Sequence, residues 1–328
     1  MVQKLRIKNF KSIKHIELSC KKINVFIGEP NGGKSNIIEA LSLMSQGVLG
    51  NEISKEIIRY KSISDLFYDF NINKPIEVFT DKMDYWLKYA MREDVIPENQ
   101  FDFELNDHVL NNPPSIKIAH GGKVHNPGIV RNSIFRYYQY KRLNAFQVGY
   151  IPHLAVPFGE NLPSLLLSNE DYKNWVSEFF ESKGFFLTLK PAENEINMSK
   201  FVNKSIYSYE YLSISETLQR IVFYIMAIKS NKDSVILFDE PESNTFPFYT
   251  KFLAERIALD DSNQFFLTTH NPYLLLSLIE KTNLSNINVC VVQMKNYETK
   301  ITPLNDKQLG EVLDFNSDVF LNLERIIE

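Results

Sequence analysis

Residues 23–44 read INVFIGEPNGGKSNIIEALSLM. A short, almost wholly apolar run ends at Gly28, a glycine-rich turn follows, and Lys34-Ser35 opens a segment with helical spacing. Gly28-Glu-Pro-Asn-Gly-Gly33-Lys34-Ser35 satisfies the phosphate-loop pattern GxxxxGK[ST] in full, with the strand before it and the helix after it that the pattern requires. Successive backbone N–H groups must curl around phosphate oxygens, and glycines let the backbone come close. Pro30 has no N–H, so the donors are expected from Asn31 to Asn36, through Gly32 and Gly33. Lys34 supplies a point charge for the β- and γ-phosphates, Ser35 a hydroxyl for Mg²⁺, and the helix N-terminus its positive dipole end. The expected ligands are therefore a nucleoside triphosphate and Mg²⁺.

Farther along, Ser234-Val-Ile-Leu-Phe-Asp239-Glu240-Pro241 brings two carboxylates to the end of an apolar strand, where ligands bind in open α/β sheets. Asp239 is placed to hold Mg²⁺. Glu240, one residue on, is placed to activate a water in line with the γ-phosphate. A second apolar strand, FFLTTH, ends at His270, an imidazole able to contact the γ-phosphate. Helical patterns separate these strands: 213–230, 246–261 with Pro247 in its first turn, and NPYLLLSLIEK. NVCVVQM follows as another strand. Nearly continuous apolar strands alternating with helices predict a parallel sheet covered on both faces. LRIKNFKSIKHIEL, residues 5–18, alternates instead and predicts two antiparallel strands at the start of the chain.

Residues 71–184 break this rhythm. Short strand-like pieces such as SIKIA lie between turns such as NNPP and HGGK, and residues 169–183 read as an amphipathic helix with Asn169 as N-cap. The expected organisation is a head from 1–70 and 185–304, an inserted α+β subdomain over 71–184, and a C-terminal helix and tail over 305–328. The fold class is α/β. The 328 residues carry a formal net charge of −4, so the molecule as a whole is no magnet for nucleic acid. A basic run, Lys4, Arg6, Lys8, Lys11, Lys14, Lys21 and Lys22, reads as the solvated face of the first hairpin or as a local DNA or phosphate contact. Two cysteines without CxxC spacing argue against a disulfide scaffold and for a reducing compartment. The longest pure apolar run, Ile221 to Ile228, is far too short to cross a membrane, and a cytoplasmic location is expected. His108, His120, His125 and His153 fit no metal motif.

The set GEPNGGKSN, LFDEPES and LTTHNP, with LRIKNFKSI in front, resembles the ABC-type ATPases of the RecF/SMC/OLD group, above all the stand-alone AAA-family proteins of that group. The resemblance covers 1–45 and 205–295 well and the middle weakly. It implies a P-loop NTPase fold with an ABC-ATPase-like head, a mostly parallel sheet flanked by helices and preceded by antiparallel strands. It also implies a homodimer that sandwiches two nucleotides, each held by one subunit's phosphate loop and a signature serine of the other. Leu212-Ser213-Ile214-Ser215-Glu216 stands where the signature belongs, with Ser213, or Ser215 in a shifted alignment, as the trans contact. Ile214 and Ser215 replace glycines, and the same residues suit a capping box, Ser213-x-x-Glu216. Phe246 stands where relatives often carry histidine. Gln139 and Gln147 are the candidates for the family's Mg-contacting glutamine. About 175 mixed residues separate loop and signature, too few and too irregular for an SMC coiled coil. Only 58 residues follow His270 and none forms the DxD of a Toprim nuclease, so DNA cleavage is expected from a separate effector. Relatives of this shape act in DNA maintenance or phage defence. Two other readings stay open: a nucleotide-gated scaffold with little turnover, and a RecF-like ATP-dependent DNA clamp.

Overall fold

Alternation sets the first elements. In β1 (Lys4–Phe10) and β2 (Ile13–Ser19), Leu5, Ile7, Ile13 and Ile16 are buried while Lys4, Lys14 and Glu17 are exposed. The computed structural model describes residues 1–90, 101–107, 115–125 and 133–327. After β3 (Ile23–Ile27) and α1 (Lys34–Ser42) come β4 (Ile76–Thr80), β5 (Met83–Tyr89), β6 (Phe101–Asp107), β7 (Ser115–Ile118), β8 (Val124–His125) and β9 (Phe135–Tyr138). Two helices follow, α2 (Leu162–Ser168) and α3 (Glu170–Glu181), then β10 (Phe186–Lys190), β11 (Glu195–Val202) and β12 (Ser205–Glu210). The last third holds α4 (Glu216–Ser230), β13 (Val235–Asp239), α5 (Pro247–Leu259), β14 (Gln264–Thr268), α6 (Pro272–Lys281), β15 (Ile287–Lys295), β16 (Glu298–Pro303), α7 (Asp306–Phe315) and α8 (Leu323–Ile327).

The central sheet runs β16-β15-β3-β14-β13-β9, parallel throughout except for β16. Its strands read as continuous apolar runs because both faces are buried. On β13, Ile236 and Phe238 enter the core beneath the helices, while Val235 and Leu237 enter the core beneath α1. β14 divides the same way, Phe265 and Leu267 against Phe266, and so does β3, Val25 against Phe26. α4, α5 and α6 cover the first face. α7 and α8 add Leu309, Val312, Leu323 and Ile326 to the same core, so the expected C-terminal tail is a pair of helices packed on the head.

The segment expected as an insertion, 71–184, is distributed over three places. β4 to β8 extend the N-terminal hairpin into one antiparallel sheet, β2-β1-β4-β5-β6-β7-β8. β9 joins the central sheet, with Phe135 paired to Val235. α2 and α3 pack on α4 through Leu165, Leu166, Val176 and Phe180. Asn169 caps α3 as expected, its side chain accepting from the Tyr172 N–H. The NNPP turn and His108 lie outside the described residues.

Candidate functional site

The phosphate loop leaves β3 at Gly28. A Cβ there would lie 2.1 Å from the Val292 carbonyl oxygen, at a φ of +142°, so only glycine fits between the loop and β15. At Gly33, φ is +101° and a Cβ would meet the Thr299 hydroxyl at 2.1 Å. Lys34 begins α1. Its ammonium donates to the carbonyls of Gly28 at 2.9 Å and Glu29 at 2.7 Å, filling the concave side of the loop. Burial pulls the Lys34 pKa down, and the opposing pull of Glu240, Asp239 and Glu29 does not restore it.

The carboxyl ends of β13 and β14 lie beside α1. Asp239 accepts from Ser35 Oγ at 3.2 Å and from Thr268 Oγ1. Burial raises its pKa, opposed by those two hydroxyls. Glu240 takes a left-handed φ of 46°, and its N–H donates to Thr268 Oγ1 at 3.0 Å. That conformation swings its carboxylate across to His270, whose Nε2 lies 3.0 Å from Oε1. Burial first, then Lys34, lowers the His270 pKa, so the ring is neutral at pH 7 and can donate one N–H to Glu240.

Asn31, Gly33, Lys34, Ser35, Glu240 and His270 line one open cavity of about 300 Å³; Gly28, Gly32 and Asp239 are not part of its wall, Asp239 being joined to it through Ser35. Asn36 lines it too, its amide donating to Ser12 Oγ at 2.7 Å. Three further residues take part, although the motifs by themselves give them no role. Arg59, from a loop after α1, faces the cavity and is held by Glu39 at 3.0 Å. Thr268, at the end of β14, ties that strand to the carboxylate end of β13. Glu242, only 5% exposed, accepts from the Thr269 hydroxyl and from the His270 N–H at 3.3 Å.

Ser213 lies elsewhere. It ends a 3-10 turn, Tyr211–Ser213, is exposed, and donates to the Glu210 carbonyl at 2.7 Å; it does not line the cavity. The expected helix start at 213 moves to 216, with Ser215 in the N-cap position and no side-chain capping bond. The capping box Ser213-x-x-Glu216 is therefore not made: its hydroxyl is engaged backward, and Glu216 pairs with Arg220 at 2.9 Å. Gln139 and Gln147 are also absent from the cavity wall. Of the basic run, Lys8 pairs with Glu77, Lys11 with Glu39 and Lys14 with Glu298, and Arg6 stacks on Phe79. Among the described residues no group of three His, Cys, Asp or Glu side chains could hold a metal by itself. No helix of the described residues is long and apolar enough to cross a membrane.

A family profile described as "AAA domain, putative AbiEii toxin, Type IV TA system" matches residues 23–277, from the phosphate-loop strand through α6. The chain belongs to this AAA_21 family. An ATP/GTP phosphatase of Helicobacter pylori is 28% identical over 145 residues, which is 37% of this chain and 39% of that protein. The chain thus matches about two fifths of that relative's length. Among solved structures, the SmcHead bound to the C-winged helix domain of ScpA superposes with a TM-score of 0.54 at 18% identity, covering 94% of this chain and 99% of that one. An Smc head with an extended coiled coil, bound to the C-terminal domain of ScpA from Pyrococcus furiosus, gives 0.51 at 16%, covering 95% and 98%. The AAA_21 chain therefore has the SMC-head fold of P-loop ATPases, parallel sheet and antiparallel N-terminal sheet included.

Proposed function

We propose that the protein binds and hydrolyses ATP with Mg²⁺, and that it closes as a homodimer around two nucleotides. The observation that carries this reading is the convergence of Lys34, Ser35, Glu240 and His270 on one cavity at the carboxyl ends of β3, β13 and β14, with Asp239 bonded to Ser35 at its edge. The donor set suits the ligands. The loop has glycines where a Cβ would collide, and Lys34 spends its protons on carbonyls that a phosphate can replace as acceptors. Ser35 and Asp239 would hold Mg²⁺ with hard oxygen donors, and the ion would supply charge neutralisation at the β- and γ-oxygens.

Every remaining task falls to side chains of this chain. Lys34 turns from the loop carbonyls to the phosphates, in a pocket that excludes water from its stem. Thr268 holds Asp239 and the Glu240 backbone in register. Glu240 accepts a proton from the attacking water, and neutral His270 orients the carboxylate from 3.0 Å. Ser213 of a second copy reaches the γ-phosphate from the far side, after its hydroxyl leaves the Glu210 carbonyl. The role outside the molecule follows from the resemblance: a switch in DNA maintenance or phage defence, read by a separately encoded effector such as a nuclease.

The scaffold reading, binding with little turnover, is favoured by Ile214 and Ser215 in place of signature glycines. The DNA-clamp reading is weakened by the internal partners of Arg6, Lys8, Lys11 and Lys14. Phosphate release and nucleotide binding test the proposal together. Glu240→Gln is expected to bind Mg·ATP and to hydrolyse it about 100-fold more slowly. Unchanged turnover would reject Glu240 as the base. Binding without turnover in the unmutated protein would leave the scaffold reading in its place.

A further inference from the structure

Residues 201–210 are exposed without interruption, although they form the tip of the β11–β12 hairpin and the whole of β12. Five of them are large and apolar or aromatic: Phe201 at 63% exposure, Val202 at 40%, Ile206 at 73%, Tyr207 at 52% and Tyr209 at 37%. The turn itself is tight, with Asn203 at φ 49° and Lys204 at φ 66°. Among the described residues β12 pairs only with β11, so its other edge leaves a row of backbone donors and acceptors unmatched. An apolar, unprotected edge strand is a template for another strand, and folded proteins rarely leave one bare.

We propose that this edge is a docking surface for a second copy of the chain, the two β12 strands pairing antiparallel about a two-fold axis at Tyr207. Charge selects the occupant and the register. Lys204, in the turn just before the strand, and Glu210, its last residue, are equally spaced from Tyr207, and neither forms an ion pair with another described residue. Pairing about Tyr207 sets Lys204 of each copy beside Glu210 of the other, twice. It also sets Ile206 opposite Ser208, and the two Tyr207 rings face to face across the axis. β12 runs directly into the turn that carries Ser213, so this contact holds two copies together beside, but not between, their signature segments before any nucleotide binds; that consequence alone rests on the reading of Ser213.

Light scattering without nucleotide, on both the unmutated chain and Lys34→Ala, is the test. The expected mass is twice the 38.2 kDa protomer in both. Tyr207→Lys, which puts like charges on the axis of an exposed site, is expected to weaken the dimer about tenfold with an unchanged circular dichroism spectrum. In a Cys20→Ser background, Tyr207→Cys is expected to crosslink to itself on mild oxidation, because antiparallel partners lie about 4.5–5.5 Å apart at Cα, within disulfide reach. Ile206→Cys, which faces Ser208 of the copy, is not. A monomeric mass without nucleotide would overturn the proposal, as would a dimer indifferent to Tyr207→Lys. A dimer that needs Mg·ATP and vanishes in Lys34→Ala would also overturn it, while leaving the nucleotide sandwich standing.

Discussion

Replacing Glu242 by glutamine is expected to stabilise the protein, increasingly as pH rises above 4.5 and in full by pH about 7. Glu242 is buried, with Oε1 accepting from the Thr269 hydroxyl and the His270 N–H, while Oε2 has no partner. Burial, with a smaller push from Glu240, raises its pKa from 4.5 to about 7. The folded state therefore holds this proton more tightly than the unfolded chain does. Stability from it is fully present below pH 4.5 and is lost as pH climbs toward 7. At about 1.4 kcal/mol per unit, the ionised carboxylate costs about 3 kcal/mol once pH exceeds its folded pKa. Glutamine keeps the Oε1 acceptor and never ionises. Urea unfolding of both proteins at about pH 5 and about pH 8 isolates the effect, because every other titrating group cancels in the difference. The variant is expected to gain little at the lower pH and about 3 kcal/mol at the higher. A difference that stays flat across the range would refute the reasoning, since it would mean that Glu242 ionises at its ordinary pKa.

Other expectations follow from the same geometry. Lys34→Ala removes the only ammonium that lines the cavity among the described residues and is expected to abolish most Mg·ATP affinity by calorimetry, with little loss of stability. Gly28→Ala drives a Cβ against the Val292 carbonyl at a positive φ, so thermal unfolding is expected to shift down by more than about 2 kcal/mol, and nucleotide binding with it. Phe238→Ala, in a fully buried site beneath the helices, is expected to cost about 3–5 kcal/mol by urea titration. Asn169→Ala deletes the cap of α3 and is expected to cost about 1 kcal/mol, visible in the same assay.

Local signals read directly from the chain. The strand, glycine loop and helix of residues 23–42 are adjacent in sequence, and their contacts are set by neighbouring residues, so a short window specifies them. Continuous apolar runs at 235–239 and 264–268 state that both faces of those strands are buried, because water on either face would select polar residues. From that follow the parallel sheet and the placement of Asp239, Glu240 and His270 at its carboxyl edge. Tertiary structure alone decided what depends on partners far along the chain. β9 reaches the central sheet by pairing with a strand about a hundred residues away, and β4 to β8 complete a sheet begun by the first hairpin; alternation specifies a face but not a partner. Arg59 comes to the cavity through a loop of no particular pattern, held there by buried Glu39. The start of α4 slipped from 213 to 216 because the Ser213 hydroxyl found the Glu210 carbonyl behind it, a choice between two local bonds that composition leaves open. Burial of Glu242 and exposure of β12 belong to the same class: a residue's environment is the sum of what folds against it, and that sum exists only once the chain has closed on itself.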